Sequence, residues 1–512
     1  MTIQADAEKS RHEVSSESVI QPYHRAQFFI TILADSAFPA VVVPTLTLYF
    51  GTLEDVGWYL STYRLASGSF QLLFGKLYAL LGPKPLVLTS LAVFSAGSLL
   101  SALATKSYIF ILARGVTGLA TAGVTSGAFA IIIQAAPLGS RPKYASIGGA
   151  AEAVASLIAP VIGGLLIDRL GWQWCFFIEL PLIGAVFAMI AFCFKPTEKK
   201  SDTGNIDWRR LLRHLDLAGT ALFVAGFTTL VLAVQMGGNK YPWSDWRVLV
   251  PLGVSIALLF AFAALQYHLG DRGTLPPRII RRRSMLFGFL FACCNNGALS
   301  VIEYYIPIYL QIVRGLEATT SGFMTLPIGA GLILSLPLAG FLTSFFGYCN
   351  QFMILNGLLT PIATGLLATL AINTEMWRLV VYQALLGFGT GVGFQGPQVA
   401  AQAILSDNDS QIGIAIIQFA QALGPAIFVA AAQTIFASRL ASLLPGQGAA
   451  PPADHALVLP ENRDGDYKMD LVGYNEALIK TFYLPVALAG ATLIGALGVE
   501  WRSLKVKRGS AL

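Results

Sequence analysis

Long apolar stretches of this chain are interrupted by a few side chains that ionise: Asp35, Arg64, Arg114, Glu152, Glu179 and Glu303. If those stretches lie in lipid, each such group is costly to hold there and is expected to face a cavity, an ion or a partner. Desolvation disfavours the charged form of a carboxylate, so in that setting it can take up a proton. A nearby arginine or a bound cation favours the charged form and releases the proton again. Competition of this kind is what an exchanger needs. Asp35 lies about nine residues into its stretch and Arg114 about seven into its own, which at ~1.5 Å per residue puts both in the middle third. They are the expected proton-coupling residues. Arg64 and Glu152 come at similar depth, whereas Glu179 and Glu303 fall nearer an edge, where mutual neutralisation is an equal reading. Arg64, Glu152, Glu303, Tyr304 and Gln395 are the expected lining of a substrate cavity.

The elements that would position these groups follow from composition. With 55% hydrophobic and only 12% charged residues and a mean hydropathy of +0.64, the chain needs lipid as its solvent. Apolar runs recur from residue 27 to residue 500, each reaching the roughly 20 residues that a hydrocarbon core demands. They fall near 27–50, 57–81, 86–104, 107–135, 144–168, 174–194, 215–236, 246–268, 285–312, 320–345, 350–372, 377–404, 411–437 and 481–501. That predicts about fourteen spans. Residues 195–214 read as a basic linker and 438–480 as an external loop rich in Pro, Gly and Ala. The first 26 residues are polar and carry no secretory peptide core.

Lys and Arg set the orientation, because positive residues stay on the cytoplasmic side. They gather at 84, 141–143, 195–213, 272–283 and 502–508, while the alternate loops offer little beyond Lys106, Arg169, Lys240 and Arg314. Both termini are therefore expected in the cytoplasm. The net charge of +6 reflects topology and does not argue for nucleic acid.

Motifs of soluble chemistry fail on context. Gly391, Gly393 and Gly396 spell a dinucleotide fingerprint, yet they lie inside an apolar span, where glycines let helices approach closely. The five histidines are scattered over termini and loops, and the five cysteines have neither metal spacing nor a disulfide framework. No enzyme, cofactor or metal site is expected. A different pattern stands out in the fifth span. Small residues recur at 151, 155, 159 and 163, a smooth face for another helix, and Pro160 frees a carbonyl where the helix can bend.

Several segments together resemble the fourteen-span drug:proton antiporters of the major facilitator superfamily, close to the fungal multidrug and mycotoxin efflux branch. Asp35 followed by VVVPTL at 41–46, with Pro44, resembles the family's first-span signature. GWYLSTYRLASGSFQLLFGKLYALLG, with Gly75, Lys76, Gly82 and Lys84, resembles its second span and loop motif. LARGVTGLATAG at 112–123 resembles the motif whose arginine, here Arg114, is implicated in proton transfer. ASLIAPVIGG, with Ala155, Ala159, Pro160, Gly163 and Gly164, resembles the antiporter motif, and GWQWCFFIELP at 171–181 the opening of the sixth span. GGNKYPWSDWRV, YYIPIYLQ at 304–311 and GVGFQGPQVAAQ at 391–402 resemble later landmarks of the fungal branch. Departures are equally specific. Ala79 and Pro83 stand at charged positions of the loop motif, removing the relay that latches the inward-closed state in relatives; Thr117 stands for glutamine, Gln173 for arginine and Glu179 for asparagine.

The resemblance implies an all-α membrane protein of two six-helix bundles. Residues 27–194 and 285–501 would form the bundles, 215–268 an inserted pair of helices, and 269–284 a cytoplasmic loop; 1–26 and 502–512 would be cytoplasmic tails. The implied activity is efflux of a small organic compound in exchange for protons, by alternating access, from a site between the bundles. The plasma membrane is the expected home, with the vacuolar membrane as the alternative. Proton-coupled uptake of a siderophore-like molecule is the competing function, and a non-transporting sensor is disfavoured by tails too short for a signalling domain.

Overall fold

The computed structural model describes residues 42, 45–47, 49–51, 56–194, 216–237, 241–443 and 467–505. Asp35, Pro44, the tail 1–26, the linker 195–214 and the loop 444–466 lie outside the described residues, as does the Pro160 side chain. Residues 42, 45–47 and 49–50 belong to a first helix, α1. There follow α2 (Val56–Leu80), α3 (Pro83–Ala102), α4 (Ser107–Ala135), α5 (Arg141–Leu170) and α6, in two pieces, Trp174–Phe177 and Glu179–Cys193. Next come α7 (Leu217–Met236), α8 (Trp246–Leu269), α9 (Arg283–Ile308), α10 (Ala318–Phe346) and α11 (Asn350–Leu367). The last are α12, in two pieces, Met376–Gly393 and Gly396–Ile404, then α13 (Asp407–Leu443) and α14 (Tyr467–Gly498). Among the described residues, 10 helices are long and apolar enough to cross a membrane by length and composition.

Local chemistry sets the boundaries. Pro83 opens α3 at its first position, where a missing N–H costs nothing. Asp216 caps α7 by accepting from Gly219 N at 2.7 Å, and Asp245 caps α8 by accepting from Arg247 N at 2.8 Å. Gly347, in the left-handed region at φ 83, closes α10.

Three expectations need correction. The stretch 438–480 is not all loop, because α13 continues to Leu443 and α14 begins at Tyr467; charged positions such as Glu476 and Lys480, which form an i,i+4 ion pair at 2.5 Å, hid that helix from a hydropathy reading. The run 377–404 is broken at Phe394–Gln395, and the second piece opens on Gly396-Pro397, where a proline in the first turn gives up no helix hydrogen bond. The eleventh span ends at Leu367, short of 372. By contrast, α5 is continuous past position 160.

Successive helices run in alternating directions, so one end of the molecule collects Lys84, Arg141, Arg278, Arg282 and Arg283. There Lys84 Nζ donates to the carbonyls of Ala191 and Phe194 at 2.7 and 2.8 Å, closing the end of α6. Arg283 Nε reaches Gly498 O at 2.9 Å, and Arg278 grips both Asp409 oxygens at 2.8 Å as well as Asp271 at 2.7 Å. Those bonds, to Asp409 first and Asp271 second, hold the Arg278 guanidinium charged well above its ordinary range. This is called the basic end below. Packing is densest for α2 with α4, α3 with α4, α9 with α13 and α14, and α10 with α12, while α7 pairs with α8. The most extensive contacts that join these sets are α2 with α13 and α5 with α10.

Candidate functional site

Arg114 lies on α4 with its side chain buried, only 3% exposed. Its guanidinium stacks on the Tyr63 ring of α2, 4.4 Å from the centroid, and Thr121 fixes that tyrosine by donating to its hydroxyl at 3.0 Å. The helices can approach so closely because of Gly118, whose place leaves no room for a Cβ against the Tyr63 carbonyl. Nε and Nη2 of Arg114 have no hydrogen-bond partner among the described residues. Across from it, Glu179 of α6 is also 3% exposed and accepts a hydrogen bond from Ser98 Oγ of α3 at 2.5 Å. The charges of Arg114 and Glu179 act on each other. A cation and a carboxylate thus share one desolvated region, where Coulomb forces are strong. Asp35 lies outside the described residues.

Arg64, Glu152, Glu303 and Tyr304 all carry exposed side chains. Tyr304 OH accepts from Gln433 Nε2 of α13 at 3.2 Å. Gln395 sits elsewhere: at the break in α12 it fills the crossing with α5, so that a Cβ on Gly149 would lie 2.9 Å from its Nε2. It borders a small cavity towards the basic end, lined also by Pro142, Ser146, Gly340 and Cys349.

The close approaches between α2 and α13, and between α5 and α10, run from the helix midpoints to the basic end. Gly68 faces Ala422, and Gln71 Nε2 donates to Gln418 Oε1 at 2.5 Å. Gly75 abuts Ala415 so tightly that a Cβ would collide with the alanine methyl. On the other side Gly329 meets Leu157, Gly149 meets Leu336 and Gly340 meets Ser146. Lys76 donates to the carbonyls of Arg272 and of Gly273, the latter at 2.7 Å. Arg141 Nη1 bridges to Asp407 at 3.1 Å. Ala79 and Pro83 supply no charge here, and Lys76 is held by backbone carbonyls. Gly82, by comparison, has nothing nearer to its added Cβ than Pro85 at 4.0 Å.

The small face of α5 is buried: Ala155 and Ala159 are 0% exposed, and Ala159 joins a cluster with Val42 and Leu46 of α1, Tyr59 and Trp172. Gly163 offers its carbonyl to the Cys175 thiol at 3.8 Å, while a Cβ on Gly164 would meet nothing within 4 Å.

Residues 26–429 match the Major Facilitator Superfamily. The chain belongs to that superfamily. It is 36% identical over 491 residues to an MFS-type efflux pump of Arthroderma benhamiae, covering 94% of this chain and 90% of that one. It is 36% identical over 482 residues to the efflux pump roqT of Penicillium rubens, with 93% and 89% covered. An aspyridones efflux protein of Neocamarosporium betae is 34% identical over 490 residues, with 94% and 86% covered. Two solved structures share the fold alone: the human organic anion transporter MFSD10, at a TM-score of 0.60, 14% identity and 95% and 99% coverage, and the Escherichia coli fucose:proton symporter, at 0.61, 12% and 94% and 99%. A facilitator is a membrane transporter and not an enzyme.

Within this facilitator, sequence reasoning missed several polar partners. Ser98, Gln71, Gln418 and Asp407 left no distinctive signal, because a single hydroxyl or amide in an apolar span is common and periodicity does not say which helix stands opposite. The three fingerprint glycines pack: a Cβ on Gly391 would strike Ser335, one on Gly393 would lie 2.6 Å from Asn356 Cβ, and one on Gly396 would strike Met353.

Proposed function

We propose that the chain exports a small organic compound, of the secondary-metabolite or drug class, in exchange for protons. The observation that carries this reading is likeness along more than nine-tenths of the chain to fungal proteins named as efflux pumps. The buried cation of Arg114 supports it, since a charge kept out of water at such cost is expected to take part in the ion cycle. Asp35 is the proton acceptor and Arg114 tunes its affinity. Helices α1–α6 and α9–α14 form the two bundles of a fourteen-span architecture, with α7 and α8 inserted, and the cargo site lies between them near Arg64, Glu152, Glu303 and Tyr304.

By the excess of Lys and Arg, the basic end faces the cytoplasm and both termini lie there, in the plasma membrane. On that orientation the contacts of Gln71, Gly75, Lys76 and Gly340 close the cytoplasmic side, and the site is reached from outside. Purified protein in proteoliposomes, given rhodamine 6G and an imposed pH gradient, tests the reading. Dye movement opposite to the proton flux is expected, and Asp35→Asn should abolish it. Cotransport of dye with protons, or no response to the gradient, would overturn export by exchange.

A further inference from the structure

Glu179 is a buried carboxylate that the motifs do not explain. It opens the longer piece of α6, where the helix is interrupted at Ile178, and its side chain is turned into the protein against α3. One hydrogen bond supports it, from Ser98, which is itself 0% exposed. A fully ionised carboxylate in so dry a place would need several donors or a paired cation. A cation acts on it: Arg114 feels the charge of Glu179, and its Nε and Nη2 bond to nothing among the described residues. Among the described residues, other groups near the carboxylate are few. The Cys175 thiol, on the turn before it, feels the same charge and points to Gly163 O. Tyr63 stands behind Arg114, α3 brings only Ser98 at this level with Lys84 at its far end, and Asp168 and Arg169 lie in the last turn of α5.

We propose that Glu179 is a second proton-carrying group of the transport cycle, exchanging a proton for an ion pair with Arg114. In one state the carboxyl holds the proton and rests on Ser98. In the other, the proton leaves to water in the cavity, and the carboxylate is drawn to Nε and Nη2 of Arg114. One O–H bond breaks and one salt bridge forms; no electrons are exchanged. Either state satisfies a buried group that the other leaves short, so the two alternate rather than coexist. The change is local to α3, α4 and α6, but Arg114 leans on Tyr63 and hence on α2, a helix of the closed end.

The inference rests on the proton-exchange reading above, and its test separates the two. Infrared difference spectra of cargo-free protein in lipid, acid minus alkaline, are expected to contain the C=O stretch of a buried protonated carboxyl. Glu179→Gln should remove that band. Arg114→Leu should keep it to a pH higher by roughly one unit or more, because the ion pair that releases the proton is gone. Ser98→Ala, which changes no charge, should shift the frequency of the band without removing it. In proteoliposomes, Glu179→Gln should lose at least tenfold of the gradient-driven rhodamine 6G flux while keeping dye-for-dye exchange without a gradient. A band unchanged in Glu179→Gln, or gradient-driven flux equal to the parent, would overturn the role of Glu179 and leave export standing. A parent protein indifferent to the gradient would instead sink the export reading, whatever the spectra show.

Discussion

Gly340 offers a direct test of whether the α5–α10 contact is a gate. A Cβ built on it would fall onto Ser146 Oγ, 2.5 Å from Ser146 Cβ and 2.8 Å from the Pro142 carbonyl oxygen. Neither neighbour can retreat, since one is backbone and the other is a side chain stem whose hydroxyl already donates to Pro142 O at 2.7 Å. Overpacking of this kind costs about 1–3 kcal/mol. If α5 and α10 touch only in the closed state, the whole cost falls on that state, and Gly340→Ala shifts the equilibrium towards opening by roughly 5- to 150-fold. Cys349 reports the change, because it borders the same small cavity and is only 4% exposed. In a background with the other cysteines changed to alanine, an impermeant maleimide applied to the basic side should label Cys349 at least about fivefold faster in Gly340→Ala. Gly365→Ala is the control, since a Cβ there meets nothing within 4 Å. Labelling in Gly340→Ala no faster than in the parent would refute the assignment of this crossing as a gate.

Two further substitutions probe the charges. Asp407→Asn removes the one ion pair recorded between α5 and α13 among the described residues, but with the aspartate 58% exposed the effect should stay within about 1 kcal/mol. Its effect on Cys349 labelling should fade as salt is raised; an effect that persists in high salt would mean that Asp407 acts by packing. Arg64→Leu should weaken export of an anionic dye more than that of a neutral one, as a cation at cavity depth attracts a carboxylate with little screening. Equal loss for both dyes would reduce Arg64 to neutralising its carboxylate neighbours.

Much of the fold was legible because lipid leaves few choices: apolar runs of membrane length must be helices. Most helix boundaries expected from hydropathy lie within a few residues of those observed, as for the second run, 57–81, observed as Val56–Leu80. Illegible were features that depend on a neighbour. The start of α14 at Tyr467 is masked by charged residues that a water-facing helix end tolerates. The broken α12 shows only as Gly-Pro, which many helices accommodate. At the candidate site, Arg114 stands out by its charge and its motif, and Glu179 by its charge and as a departure from the family's asparagine. That Ser98 meets one and Tyr63 underlies the other is a matter of which helices adjoin, and no period in the chain encodes it. Likewise Lys76 could be read only as the remnant of a lost charge relay, since its acceptors are backbone carbonyls that every sequence possesses.

The basic end is built so that separating its contacts would strand few groups. When α13 leaves, Gln71 still has Ser126 at 2.7 Å on its own side, and Arg141 keeps the carbonyls of Ile133 and Ala136 at 2.8 and 3.0 Å. Asp407 is already half in water, and Lys76 sits where its ammonium can hydrate as soon as the Arg272 and Gly273 carbonyls withdraw. Orphaned buried polar groups are what make separation expensive, and here the loss reduces largely to apolar and small-residue contact. Such an interface is poised to be tipped by a modest force. That force has a route in α2, which carries Tyr63 beneath Arg114 and, about 20 Å along the same helix at ~1.5 Å per residue, Lys76 at the latch. A guanidinium pulled from the Tyr63 ring towards Glu179 would release α2 at one end, while Gly75 and Lys76 hold it at the other. The bulk of α2 between them is packed on α4 through Gly118 and on α13 through Gly68, so a small rotation there would be felt at both sites, and proton release would bear on the gate without any residue spanning the distance.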